Sequence, residues 1–150
     1  MIMGNKKMNI IQAVLLLNMV IPILAGLFVY LTSGHQTYIS EYASKIGIEM
    51  RTINYPSIIR CYGCDFLWGY SLCSGLQLFV TDGLYRHALI KVITASMLIA
   101  ITMECLQRLP FISGTFDIAD IFVECGAICI AAFITNLFKR RHQNEKRCIE

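Results

Sequence analysis

The residues MECLQRLPFISGTFDIADIFVE, Met103 to Glu124, place Glu104, Gln107, Asp117, Asp120 and Glu124 where two apolar segments meet. Asp65, at the head of a third segment, DFLWGYSLCSGLQLFV, is a sixth polar candidate. Read as a helix, Asp117, Asp120 and Glu124 stand at i, i+3 and i+7 and share a face. Glu104, Gln107 and Arg108 likewise share one side of the preceding segment. Carboxyl groups held together can divide acid and base roles when their surroundings differ. They can also ligate a hard cation through oxygen, relay protons, or grip the hydroxyls and amides of a lipid headgroup.

Each candidate also has a purely structural reading. Asp117 suits a helix N-cap, with Asp120 in the favourable first turn. Asp65 could open its helix in the same way, with Trp68 and Tyr70 at headgroup level. Glu104 could pair with Arg108 at i+4. Capping does not account for Glu104, which falls at a helix C-terminus, where the dipole disfavours an anion. Nor does it account for Glu124, one turn deeper than Asp120. An acidic group inside a bilayer costs roughly 2.5–3.5 kcal/mol unless it is paired or protonated.

Other chemistry leaves little trace. His35, His87 and His142 are scattered, and neither a phosphate-cradling glycine loop nor a serine elbow occurs. No catalytic residue, metal ligand or cofactor is therefore assigned. Of seven cysteines, Cys61 and Cys64 form a lone C-x-x-C, a weak disulfide signal that needs an oxidising exterior. Cys73, Cys105, Cys125 and Cys129 fall in or beside apolar segments, where cysteine acts as a small apolar residue. Cys148 reads as a free thiol in the tail.

The elements that must carry these groups are membrane helices. Of the 150 residues, 56% are hydrophobic and 15% charged, against about a quarter charged in soluble domains. The net charge of +3 is too small to indicate a nucleic-acid partner. The reading is one domain, residues 1–150, forming an all-α integral membrane four-helix bundle. Helices are expected over about 9–32, 65–81, 87–107 and 118–138. The first exceeds the roughly 20 residues that cross a bilayer. It is too long for a signal-peptide core and no small-x-small cleavage site follows, so it reads as a retained span kinked by Pro22. Strands are not expected, because backbone groups in lipid must be satisfied within the segment.

Four spans put both termini on one side. Lys6, Lys7, Arg86, Lys91, Lys139, Arg140, Arg141, Lys146 and Arg147 then share that side, against Lys45, Arg51, Arg60 and Arg108 on the other. The positive-inside rule makes both termini cytoplasmic. The basic tail KRRHQNEKRCIE is then a topology signal, and could also attract anionic lipids. Glu41, Glu49, Asp65, Glu104, Asp117, Asp120 and Glu124 lie outside or in the outer half, whereas only Asp82, Glu145 and Glu150 lie inside. In the long outer loop, Tyr38, Ile39, Tyr42, Ile46 and Ile48 suggest a short interfacial helix. The connections TDGLYRH and RLPFISGT are short, as in a compact bundle.

The stretch ITMECLQRLPFISGTFDIADIFVECGA resembles the carboxy-terminal half of the VanZ-like family, named after a teicoplanin-resistance accessory protein. That family pairs Glu-x-x-Gln near the end of one membrane helix with Gly-x-x-Asp-x-x-Asp leading into the next, here Glu104 and Gln107, then Gly114, Asp117 and Asp120. CDFLWGYSL, Cys64 to Leu72, is similar to a branch with Asp before an aromatic-rich helix. The likeness spans about Asp65 to Phe138. It departs at Thr115, where many members have Arg, and at Glu124, where many have Asn; Gly126 also follows one position early. The resemblance implies a small multi-pass protein of the bacterial cell membrane whose biochemical activity is open; the leading reading is non-enzymatic, with membrane lipids as neighbours. A lipid-linked cell-wall precursor or a glycopeptide is its implied partner, and lowered teicoplanin susceptibility its implied effect. The residues alone leave two rivals open: an enzyme acting on a lipid-linked envelope substrate with Glu104 and Asp120 as acid and base, and a proton- or cation-coupled transporter subunit using Glu124. A purely structural helper is a third.

Overall fold

A computed structural model of the chain describes residues 10–33, 42, 45–47, 51–79, 85–109 and 116–147. Among the described residues four helices make up the fold: α1 (Ile10–Thr32), α2 (Ser57–Gln77), α3 (Tyr85–Leu106) and α4 (Ile118–Arg147). Among the described residues no strand occurs. The expected all-α four-helix architecture is the observed one.

Among the described residues three helices contain segments long and apolar enough to cross a bilayer: Gln12–Thr32, His87–Leu106 and Ile118–Arg141. The fourth, α2, carries Arg60, Asp65 and three serines, and its place in the bundle explains how it tolerates them. It packs against α1 on one side and against α4 and α3 on the other. The helix without such an apolar segment is thus the one in the most extensive contact with the others.

Burial is inverted relative to a soluble domain. Leu17, Ile21, Leu24 and Phe28 form an exposed stripe along α1, and Phe122 and Phe133 are exposed on α4. The interior instead holds Ser71, Ser74, Gln77, Ser96, Glu104, Glu124 and Thr135 among small apolar residues. Water would not leave those leucines and phenylalanines on the outside of a stable bundle; hydrocarbon would. The chain is a helical membrane protein.

Close packing in lipid relies on small side chains, and the contacts here follow that rule. Cys73, Ala100, Ile128, Ala131 and Ala132 form the centre of the core. Gly26 of α1 lies against Leu67, and Gly75 of α2 against Met19, so α1 and α2 run antiparallel. Gly69 meets the backbone of Glu124, while Ser96 lies beside Cys73 and Glu104 beside Asp120. These pairs make α2 and α4 parallel and α3 antiparallel to both. The start of α1 and the end of α4 therefore lie at the same end of the bundle. Hydroxyls close onto their own helices: Ser71 donates to the Leu67 carbonyl at 2.7 Å and Ser74 to Tyr70 at 2.9 Å.

Two boundaries differ from the sequence expectation. The second helix begins at Ser57, not Asp65, and ends at Gln77 rather than residue 81. Pro56, at φ −53° and ψ 144°, sets the start: it supplies the carbonyl for Arg60 N–H at 3.1 Å. Its ring suits an N-terminal flank and not a helix interior. At the other end Leu78 and Phe79 bond back three residues to Gly75 and Leu76, tightening the last turn. The fourth helix runs past Phe138 to Arg147, because the basic segment contains good helix formers and no Pro or Gly. Within α1 the helix continues through Pro22.

The chain leading into α2 is pinned to the end of α1. Ile53 N–H donates to the Thr32 carbonyl at 2.8 Å, and Thr32 Oγ1 and Tyr55 Oη are 2.8 Å apart. Of the expected interfacial helix, one turn is described, from the Tyr42 carbonyl to the Ile46 N–H at 3.2 Å. Tyr38, Ile39 and Ile48 lie outside the described residues, as do most of the two short connections, Gly114, Thr115 and Cys148. Cys61 and Cys64 are both free thiols. The Cys64 thiol instead donates to the Gly26 carbonyl at 3.7 Å, joining α2 to α1.

Candidate carboxyl pocket

Three helices bring four carboxyl groups together near one end of the bundle. Asp65 comes from the third turn of α2, Glu104 from the last turn of α3, and Asp120 and Glu124 from the first two turns of α4. Asp65 is within electrostatic reach of Asp120 and Glu104. Glu124 is within reach of all three. Two features of the sequence produce this convergence. Val92, Ser96, Ala100 and Glu104 repeat every four residues and form the buried stripe of α3. Asp65, Gly69, Cys73 and Gln77 repeat in the same way on α2, and Gly69 allows α4 to come close enough for Glu124 to point inward.

Burial divides the four into two pairs. Glu104 and Glu124 are each only 3% exposed, whereas Asp65 and Asp120 are partly open. One oxygen of Glu104 accepts from Gln107 Nε2 at 2.9 Å. Its other oxygen, and Oε2 of Glu124, are buried without a hydrogen-bond partner. Among the described residues no lysine or arginine pairs with any of the four. Buried polar atoms normally find partners, and carboxylates that repel one another need a counter-charge or shared protons. The arrangement is therefore suited to receive a hydrogen-bond donor or a positive group.

No family model, no curated protein and no solved structure matches the chain. The site must therefore be read from its own geometry.

The six sequence candidates take different places. Asp65, Glu104, Asp120 and Glu124 form the pocket. Gln107 orients Glu104 from one turn away. Asp117 is the N-cap expected of it: its Oδ1 accepts from the Ala119 N–H at 2.9 Å. It is exposed and lies at the pocket's margin. Asp65 does not open its helix, since α2 starts two turns earlier. The expected Glu104–Arg108 pair is not formed either. Arg108 lies over the Phe116 ring, 4.1 Å from its centroid, a cation–π contact that leaves Glu104 to Gln107. Among the described residues no three His, Cys, Asp or Glu side chains are close enough to hold a metal ion.

Some interior residues were not signalled as site candidates. Gly69 lets the backbone of α2 approach that of Glu124 closely. Deeper along the same seam, Gln77 Oε1 and Thr135 Oγ1 are also buried without partners, and Ser96 Oγ lies beside the Cys73 thiol. Lys139, the first residue of the basic tail, is 5% exposed at the far end. The repeat of small and polar residues every four positions is the signal that could have found them.

Removal of the Asp117 cap gives a first prediction. Asp117→Ala should cost about 1 kcal/mol of stability, read as a lowered thermal midpoint in detergent, with the pocket's ligand response retained. Loss of that response at unchanged helicity would instead put Asp117 inside the site.

Proposed function

We propose that this chain is a multi-pass protein of the bacterial cell membrane, of the VanZ-like type, whose carboxyl pocket binds the polar headgroup of a lipid or lipid-linked cell-wall precursor. By holding that group, or by competing with a lipid-anchored glycopeptide at the surface, it lowers susceptibility to teicoplanin-type antibiotics. The observation that supports this reading is the burial of Glu104 and Glu124, each with an unpartnered oxygen, beside the more accessible Asp65 and Asp120. A structural cluster would pair its charges internally. An open set of acceptors at one end of a membrane bundle suits an external donor. The excess of basic residues at the opposite end favours placing the pocket outward.

The test is teicoplanin and vancomycin susceptibility in a Gram-positive host. Empty vector, wild type and Glu104→Gln/Asp120→Asn are compared at matched protein levels. Wild type is expected to protect against teicoplanin selectively, and the double variant to lose that protection. Protection that survives neutralisation, or its absence from well-expressed wild type, overturns the proposal.

The unequal burial of the carboxyl groups also favours a second reading, acid–base catalysis on a lipid-linked substrate. That reading requires expression to change the masses of lipids or wall precursors, and unchanged profiles dismiss it.

A further inference from the structure

An apolar groove lies beside the carboxyl pocket on the neighbouring side of α2. It has a volume of about 210 Å³ and lies between α1 and α2, lined by Pro22, Gly26, Tyr30, Cys64, Leu67 and Trp68. Cys64 and Trp68 flank Asp65 in sequence, so groove and carboxyl are at the same depth in the bundle. On a helical projection Trp68 is about 60° from Asp65, on the flank that turns toward α1. The groove opens on a surface of exposed leucine and isoleucine, where the surrounding solvent is acyl chain.

The charges near the pocket define what can sit across both features. All the groups that Asp65 and Glu124 sense are carboxyls. A phosphate, sulfate or carboxylate pointed at them would be repelled. A quaternary ammonium offers charge but no N–H, while a primary ammonium offers three donors. The unpartnered oxygens of Glu104 and Glu124 call for such donors. A bare metal ion is a poor fit, because no three ligating side chains close on one point among the described residues.

We propose that the carboxyl cluster and the groove together form one site for an aminophospholipid, its primary ammonium on Asp65, within the field of Glu104 and Asp120, and an acyl chain along Gly26 and Trp68. This rests on the headgroup-binding reading above and narrows it to one chemical class. Asp65, partly exposed, is the contact, and the neighbouring carboxyls strengthen the negative field that holds the cation there. The chain's single tryptophan, Trp68, is 42% exposed in the groove. It reports directly on the chain that lies there.

The experiment titrates detergent-solubilised full-length protein with lipids brominated on their acyl chains and follows quenching of Trp68. Phosphatidylethanolamine, phosphatidylcholine and phosphatidylglycerol with identical chains are the probes. Phosphatidylethanolamine should quench wild type at about tenfold lower mole fraction than the other two, the scale of a charge-assisted hydrogen bond. Asp65→Asn should bring the three curves together without loss of maximal quenching. Gly26→Leu, which fills the groove, should weaken quenching by all three equally. Equal quenching of wild type by the three headgroups overturns the proposal, as does a preference for phosphatidylglycerol. Either result leaves the broader headgroup reading to the susceptibility assay, which neutralises Glu104 and Asp120 and does not depend on Trp68. If that assay is also unaffected by neutralisation, the pocket itself is refuted.

Discussion

Gly69→Ala separates α2 from α4 at the level of the carboxyl pocket and costs about 1–3 kcal/mol, the range for overpacking a well-fitted interior. A Cβ at this position would lie 2.9 Å from the Glu124 carbonyl oxygen and 3.1 Å from its Cα. Both are backbone atoms of a neighbouring helix, so no side-chain rotation can relieve the contact. One helix must move by several tenths of an ångström, and Glu124 moves with it. The variant is therefore expected to lower the thermal midpoint in detergent and to weaken the response to an ammonium ligand together. Gly126→Ala is the control on the same helix as Glu124. Nothing lies within 4 Å of the Cβ it would add, so its midpoint should be unchanged or slightly raised. Equal midpoints for the two variants would mean that α2 and α4 do not approach at Gly69, and the pocket geometry would be wrong with them.

That contact shows where the sequence stops being readable. The four helices are legible because each is a long segment of predominantly apolar character, interrupted by recognisable turn residues. The grouping of Asp120 with Glu124 is legible because it depends only on spacing within one helix. Glu104 is legible because a carboxylate at a helix C-terminus contradicts the dipole. Gly69 is not, because its meaning lies in the helix opposite it. The groove at Trp68 has the same origin: it exists only because α1 and α2 meet with Gly26 opposite Leu67. The start of α2 was misplaced for another reason. Absence of charge is a poor guide in a helix that carries Arg60 and Asp65 and is enclosed by protein. Pro56 is the better punctuation.

The inverted burial places the pocket in a setting where polar groups have large effects. The interior of the bundle holds hydroxyls, an amide and carboxyls, and the exterior holds leucine and phenylalanine. Most hydroxyls in such a setting close onto their own helix, as Thr32, Ser71 and Ser74 do. Those that do not, with Glu104 and Glu124, line one seam formed by α2, α3 and α4. Selection for stability alone would replace them with small apolar residues of the kind that already fill Ala100, Ala127 and Ala131. A headgroup ligand of the proposed kind would account for them.

Glu124→Met separates the two explanations. Methionine nearly matches the glutamate in length, is flexible enough to fill an irregular gap, and leaves the backbone contact with Gly69 in place. It removes a buried acidic group that has an unpartnered oxygen and three neighbouring carboxyls. Apolar replacement of buried charged groups is often neutral or stabilising, by about 1–4 kcal/mol. An acidic residue inside a bilayer costs a similar amount. If Glu124 is there to hold a ligand, the variant should unfold at a higher temperature than wild type and lose both its preference for an ammonium headgroup and its antibiotic phenotype. Proteins commonly carry such stability–function conflicts at their sites. If Glu124 is instead a structural member of the bundle, methionine should lower the midpoint and leave the surviving folded fraction with normal ligand response. The two outcomes differ in sign for stability and in direction for function, so a thermal melt and a Trp68 titration on one purified variant decide between them.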